Sequence, residues 1–121
     1  MPTTQEVLHA YEAAWTAPDG ATRRHLLEQC LTEDAVVIGP NYAHAGREAF
    51  AQALDQIRER LPTAHIVLTG VQEQQGFLCV KIEVVASDEQ RWPVVDFGEL
   101  APDGRLQRIV VFRDSPPEHA A

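Results

Sequence analysis

Asp96 is a carboxylate set in Trp92-Pro-Val-Val-Asp-Phe-Gly-Glu-Leu100, a segment that otherwise alternates like a half-buried strand. On a pleated strand residues 92, 94, 96, 98 and 100 share one face, so Asp96 keeps company with Trp92, Val94, Gly98 and Leu100. An ionised carboxylate there loses several kcal/mol of hydration, so it must find donors, stay protonated, or line a cavity open to water and ligand. A carboxyl of the last two kinds is suited to acid–base chemistry. The plainer alternative is an Asp carried to the wet face by a bulge, or one paired with a nearby Arg. His65 and His44 are further candidate bases near neutral pH. His65 opens a strand expected to line a cavity, although an exposed edge histidine reads the same way. His44 lies in Asn41-Tyr-Ala-His-Ala45, read as a loop where a solvated side chain is the plain expectation. No His-Glu-x-x-His occurs and His9, His25 and His119 have no ligand spacing with the other two, so no metal and no cofactor is expected. No Gly-x-Ser-x-Gly supports a nucleophilic triad.

The elements that must position these groups fall in two blocks. Thr3 or Thr4 can cap a helix carrying Val7, Leu8, Tyr11, Ala14 and Trp15, ended by Ala17-Pro-Asp-Gly20. Asp19 can cap a second helix with Leu26, Leu27, Cys30 and Leu31, which gives way to a short strand stopped by Gly39 and Pro40. Gly46 opens a third helix with Phe50, Leu54, Ile57 and Leu61 on one stripe, closed by Pro62. From His65 the period changes, and residues 65–71, 77–86, 91–100 and 105–113 read as four strands separated by turn residues. Three helices before an antiparallel meander predict an α+β fold with segregated layers. Residues 1–114 are expected to form one domain and 115–121 a flexible tail. Trp15, Tyr42, Phe50, Trp92 and Phe112, with Leu54 and Val94, can wall an apolar pocket or simply fill a core. Arg23-Arg24 and Arg58-Glu-Arg60 read as ordinary helix-surface charges, and Lys81 and Glu83 fall on the sheet face opposite Val80 and Ile82.

Composition excludes several classes of partner. The chain has 121 residues, 45% hydrophobic, which suits one compact core. Its 10 Lys and Arg against 18 Asp and Glu give a net charge of −8, so neither nucleic acid nor a membrane surface is an expected partner. No apolar run is long enough to span a bilayer and Met-Pro-Thr-Thr-Gln-Glu is no signal peptide, which makes the cytoplasm the expected location. Cys30 and Cys79 form neither a disulfide framework nor a zinc motif and read as small buried hydrophobes.

Tyr11-Glu-Ala-Ala-Trp15, Asp34-Ala-Val-Val, Pro40, Gly46-Arg-Glu-Ala-Phe50, and Asp96 followed by Asp103-Gly-Arg-Leu106 occur in an order that resembles the SnoaL-like branch of the nuclear transport factor 2 superfamily, over about residues 4–113. The resemblance implies a curved, mainly antiparallel sheet wrapped around three helices, a cone open to ligand at one end, and a homodimer. It also implies an apolar, ring-containing ligand and an isomerase or cyclase that moves a proton next to a carbonyl, or a non-catalytic binding or dimerisation module. In the related ketosteroid isomerase a Tyr and a protonated Asp form an oxyanion hole while a second Asp removes the proton. Tyr11 and Asp96 match the first two, and Gly39 stands where the base is expected. Glycine cannot take a proton, so the base must be Asp96 or an imported group such as His65.

Overall fold

The computed structural model describes residues 1–114, which form three helices and six strands; the expected tail at 115–121 lies outside the described residues. Helix α1 spans Thr4–Trp15. Thr3 caps it in a capping box, accepting from the Glu6 N–H while the Glu6 carboxylate accepts from the Thr3 N–H. Helix α2 spans Gly20–Cys30, with the Asp19 carboxylate accepting from the Thr22 N–H at 2.7 Å. Strand β1 (Leu31–Gly39) follows without a loop and pairs with β2 (Tyr42–Ala45) across a two-residue turn at Pro40 and Asn41. The expected loop at 41–45 is therefore mostly strand. Gly46, at φ 101°, turns the chain into helix α3 (Arg47–Arg60) in a conformation open to glycine at little cost.

Strands β3 (His65–Gln74), β4 (Phe77–Val85), β5 (Arg91–Leu100) and β6 (Leu106–Arg113) form the meander. The β3–β4 turn places Gln75 and Gly76 at φ 52° and 81°, the double positive-φ pattern that matches strand twist. The sheet runs β2-β1-β6-β5-β4-β3, antiparallel except for the parallel β1–β6 pair, and it is open at both edges. Register shifts in β1, β3 and at the end of β5 bend it around the helices. This is the three-helix, curved-sheet α+β architecture expected from the two blocks of periodicity.

The core lies between the concave face and the helices. Val37, Leu78, Val80, Ile82, Val94 and Ile109 meet Val7, Tyr11, Leu27, Phe50 and Leu54 there. The helices are tied together by an ion-pair cluster that sequence reasoning assigned to the surface. Arg23 is only 3% exposed, and it donates to the carbonyls of Ala14 and Ala17, at 3.2 and 3.0 Å, while pairing with Asp55 of α3. Arg24 donates to Asp55 and Glu48, both at 2.9 Å. Arg23 thus satisfies the Ala14 carbonyl in the last turn of α1, which the helix leaves without an internal partner, and the Ala17 carbonyl in the connection that follows. Lys81 and Glu83 do lie on the convex face, and Glu83 accepts from Arg91 there at 2.8 Å. Cys30 is buried as expected, whereas Cys79 is half-buried on the convex face.

Candidate functional site

A cavity of about 600 Å³ opens between α3, the β1–β2 hairpin and the concave face of β4, β5 and β6. Its floor is buried: Tyr11 from α1, Val37, Phe50, Leu54, Ile66, Ile82, Val94 and Asp96. Its rim is exposed and includes Pro40, Asn41, Arg60, Leu61, Trp92 and Arg113. The sheet pleat explains this division. Val94, Asp96 and Gly98 alternate inward along β5, and Val111, the register partner of Asp96, points inward from β6.

Asp96 is 6% exposed, and its nearest polar partner is the Tyr11 hydroxyl, which faces Oδ2 at 3.5 Å. That distance is too long for a full O–H···O bond. Burial, opposed only by Tyr11, pushes the Asp96 carboxyl up to about 7. Burial and the nearby Asp96 charge raise Tyr11 well above the usual phenol range, and the same two causes raise Tyr42. Both phenols therefore remain protonated donors. The Tyr11 hydroxyl and a protonated Asp96 carboxyl, 3.5 Å apart, can each reach one shared oxygen at roughly 2.7–3.0 Å, the geometry that stabilises oxygen charge. The Trp15 indole N–H lies toward the Tyr11 hydroxyl but finds no hydrogen-bond partner of good geometry, leaving a buried donor unsatisfied in the cavity wall.

Of the residues singled out from sequence, the structure brings together Tyr11, Asp96, Trp15, Tyr42, Phe50, Leu54, Trp92 and Val94 around this cavity. Two are elsewhere. His65 does not line the cavity: Ile66 takes the inward position on β3, period two sends His65 to the other face, and its Nδ1 sits 3.0 Å from the Thr63 carbonyl. Phe112 is displaced likewise, because Val111 points inward; it is 53% exposed on the convex face, edge-on to Phe97 at 5.7 Å.

His44 is the residue that sequence reasoning undervalued. It lies on β2 opposite Val37, lines the cavity, stacks on Tyr42 with ring centres 5.1 Å apart, and sits 6.2 Å from Phe50. Phe50 in turn stacks on Tyr11 at 6.0 Å, so the imidazole and the Tyr11–Asp96 pair share one aromatic wall. Gly39 faces Tyr42 across the hairpin, and a Cβ added there would lie 2.1 Å from the Tyr42 ring. Tyr42 therefore fills the space that a carboxylate at position 39 would need. Among the described residues no group of three or more His, Cys, Asp or Glu gathers as a metal site, and no helix is long and apolar enough to cross a membrane.

Three helices packed on a curved, open six-stranded sheet are the frame of the nuclear transport factor 2-like, ketosteroid isomerase-like fold. The SnoaL-like domain family matches residues 7–109, and the chain belongs to that family. Solved structures agree. A candidate isomerase of the SnoaL-like family from Agrobacterium tumefaciens str. C58 is 25% identical, with a TM-score of 0.81 over 95% of this chain and 100% of that one. A candidate SnoaL-like polyketide cyclase from Jannaschia sp. CCS1 is 19% identical, with a TM-score of 0.72 over 97% of each chain. A protein with a ketosteroid isomerase-like fold from Catenulispora acidiphila DSM 44928, in complex with trimethylamine, is 13% identical, with a TM-score of 0.72 over 90% of this chain and 85% of that one. No curated protein matches significantly in sequence.

Proposed function

We propose that the protein binds an apolar, ring-containing compound with a carbonyl oxygen against Tyr11 and Asp96, and moves a proton at the adjacent carbon. The observation that carries this reading is a buried carboxyl pushed up to about 7, with one phenol beside it, at the floor of an otherwise apolar cavity. Protonated Asp96 and Tyr11 hold the oxygen as negative charge develops on it. The imidazole of His44, on the same aromatic wall, accepts the carbon-bound proton and returns it to another position of the enolate or dienolate. Such a step completes an isomerisation, and the same enolate serves an aldol-type ring closure. No cofactor enters this scheme.

Solvent deuterium exchange into 2-tetralone, a ring ketone with acidic α-hydrogens, reads this chemistry without the native substrate. The protein should accelerate exchange, and His44→Ala and Asp96→Ala should each cost about 10²-fold or more. The rate should fall as pH rises through about 7, where Asp96 loses the donated proton, and that fall should vanish in Asp96→Asn. Retained binding with exchange no faster than in buffer would replace catalysis by the second reading, a ligand-binding module. One observation favours that alternative: Tyr42 leaves no room for a carboxylate base at Gly39.

The convex sheet face exposes Val67, Phe77, Phe97 and Phe112, an apolar surface that supports a homodimer. Sedimentation at micromolar concentration tests it, and a clean monomer of about 13 kDa would remove the claim. Two unpaired cysteines support a reducing compartment such as the cytoplasm.

A further inference from the structure

The charges lining the cavity are distributed by depth. At the floor stands one carboxyl, Asp96, and at the rim stand two guanidinium groups, Arg60 at the end of α3 and Arg113 at the end of β6. No Asp or Glu other than Asp96 lines the cavity, and among the described residues neither rim arginine has a carboxylate partner. Arg23, Arg24, Arg91 and Arg105 are paired with carboxylates, whereas Arg47, Arg58 and Arg108 also lack such a partner among these residues; what sets Arg60 and Arg113 apart is that they face the cavity. Asn41 and Gln56 are the other polar groups outside the hydroxyl, imidazole and indole set.

We infer that the rim arginines bind a carboxylate on the ligand, so that the compound is an oxo- or hydroxy-substituted ring acid, entered oxygen first. This rests on the reading that places a ligand oxygen at Tyr11 and Asp96. Guanidinium groups match a carboxylate with two parallel N–H···O bonds, and such charge-assisted bonds are stronger than neutral ones. The overall charge of −8 disfavours a dianion relative to a monoanion. Spacing supplies the length. Arg113 is the register partner of Val94, one inward position from Asp96, so the two polar ends are separated along the strand by roughly 7 Å, plus the reach of the side chains. A fused two- or three-ring skeleton spans that distance and fits a cavity of about 600 Å³.

Three probes separate the parts of this claim: 6-hydroxy-2-naphthoic acid, its methyl ester, and 2-naphthol, each titrated by calorimetry or fluorescence at pH 6 and low salt. The wild-type protein should bind the acid about tenfold more tightly than the ester, the effect of one net charge-assisted contact. That ratio should fall toward one in Arg60→Gln/Arg113→Gln, should largely persist in Arg60→Lys/Arg113→Lys, and should shrink with added salt in the wild type. An ester that binds as well as the acid, or an acid preference that survives in the double glutamine variant, overturns the carboxylate site while 2-naphthol binding leaves the cavity reading standing. Failure of all three compounds to bind the wild type would instead remove the oxygen-at-Asp96 reading and this inference with it.

Discussion

Two buried ionisable groups in this molecule are treated in opposite ways. Arg23 sits among three acceptors, the Ala14 and Ala17 carbonyls and the Asp55 carboxylate, and it closes the junction of all three helices. Asp96, nearly as buried, has one hydroxyl at 3.5 Å and otherwise faces a cavity. A buried charge with its partners in place holds elements together, and removing one side leaves the others stranded. A buried acid without partners keeps its proton, raises the free energy of its own ionisation, and stays available to whatever enters the cavity. The contrast separates architecture from chemistry in a chain where both groups are rare polar residues of the interior.

The largest expected effect follows from the first group. Arg23→Met should destabilise the protein by about 4 kcal/mol, because the Ala14 and Ala17 carbonyls lose their donor and Asp55 keeps only Arg24. Urea unfolding would show it as a lower midpoint at every pH from 5 to 8. A loss under about 1 kcal/mol would mean that the cluster is no more than a surface ion pair.

Asp96→Asn should move stability in the other direction and only above a defined pH. The folded carboxyl titrates at about 7, above its ordinary value near 3.9. Between those values the native state holds a proton that the unfolded chain has released, so stability falls as pH rises through the window and is level above it. Asn carries no such penalty. The variant should match the wild type near pH 4 and exceed it by about 3 kcal/mol at pH 8. Arg24 lowers the Asp55 and Glu48 carboxyls and Arg105 lowers Asp103, so these paired carboxylates shift in the direction opposite to Asp96. Equal melting profiles of variant and wild type from pH 5 to 8 would place the carboxyl in a wet, ordinary environment.

What could be read from sequence follows the strength of local signals. Asp96 was legible because one acid interrupts an alternation whose phase Val94 and Gly98 fix. His65 and Phe112 were not, because Ile66-Val-Leu68 beside His65 and Ile109-Val-Val-Phe112 are apolar at successive positions, so periodicity cannot say which residue points inward. The pleat then assigned the cavity to Ile66 and Val111. His44 was obscured because β2 is four residues long and joined by Pro40-Asn41, which lacks the glycine signal of a two-residue hairpin. Arg23 was misread because residue type argues for the surface, and only the meeting of α1, α2 and α3 supplies enough acceptors to bury it. The capped helices and four long strands were legible because caps, turns and period agree locally.

The smallest effect gives the sharpest test of the contrast. Trp15 carries a buried N–H without a partner, a third polar group that the fold leaves unsatisfied beside Tyr11 and Asp96. Trp15→Phe removes that donor together with some aromatic volume, and these two changes oppose each other: an unsatisfied buried donor costs about 1–3 kcal/mol, and the lost packing costs a similar amount. The free protein should therefore change in stability by less than about 1 kcal/mol. If the N–H serves a ligand oxygen, the loss appears on binding instead, as a roughly fivefold or greater weakening for 2-naphthol, which has one oxygen to place at the floor. Arg23 would then register only in unfolding and Trp15 only in binding. A Trp15→Phe variant with unchanged 2-naphthol affinity and a large loss of stability would reverse the assignment, making Trp15 part of the core and leaving Asp96 and Tyr11 as the only polar groups held for a ligand at the cavity floor.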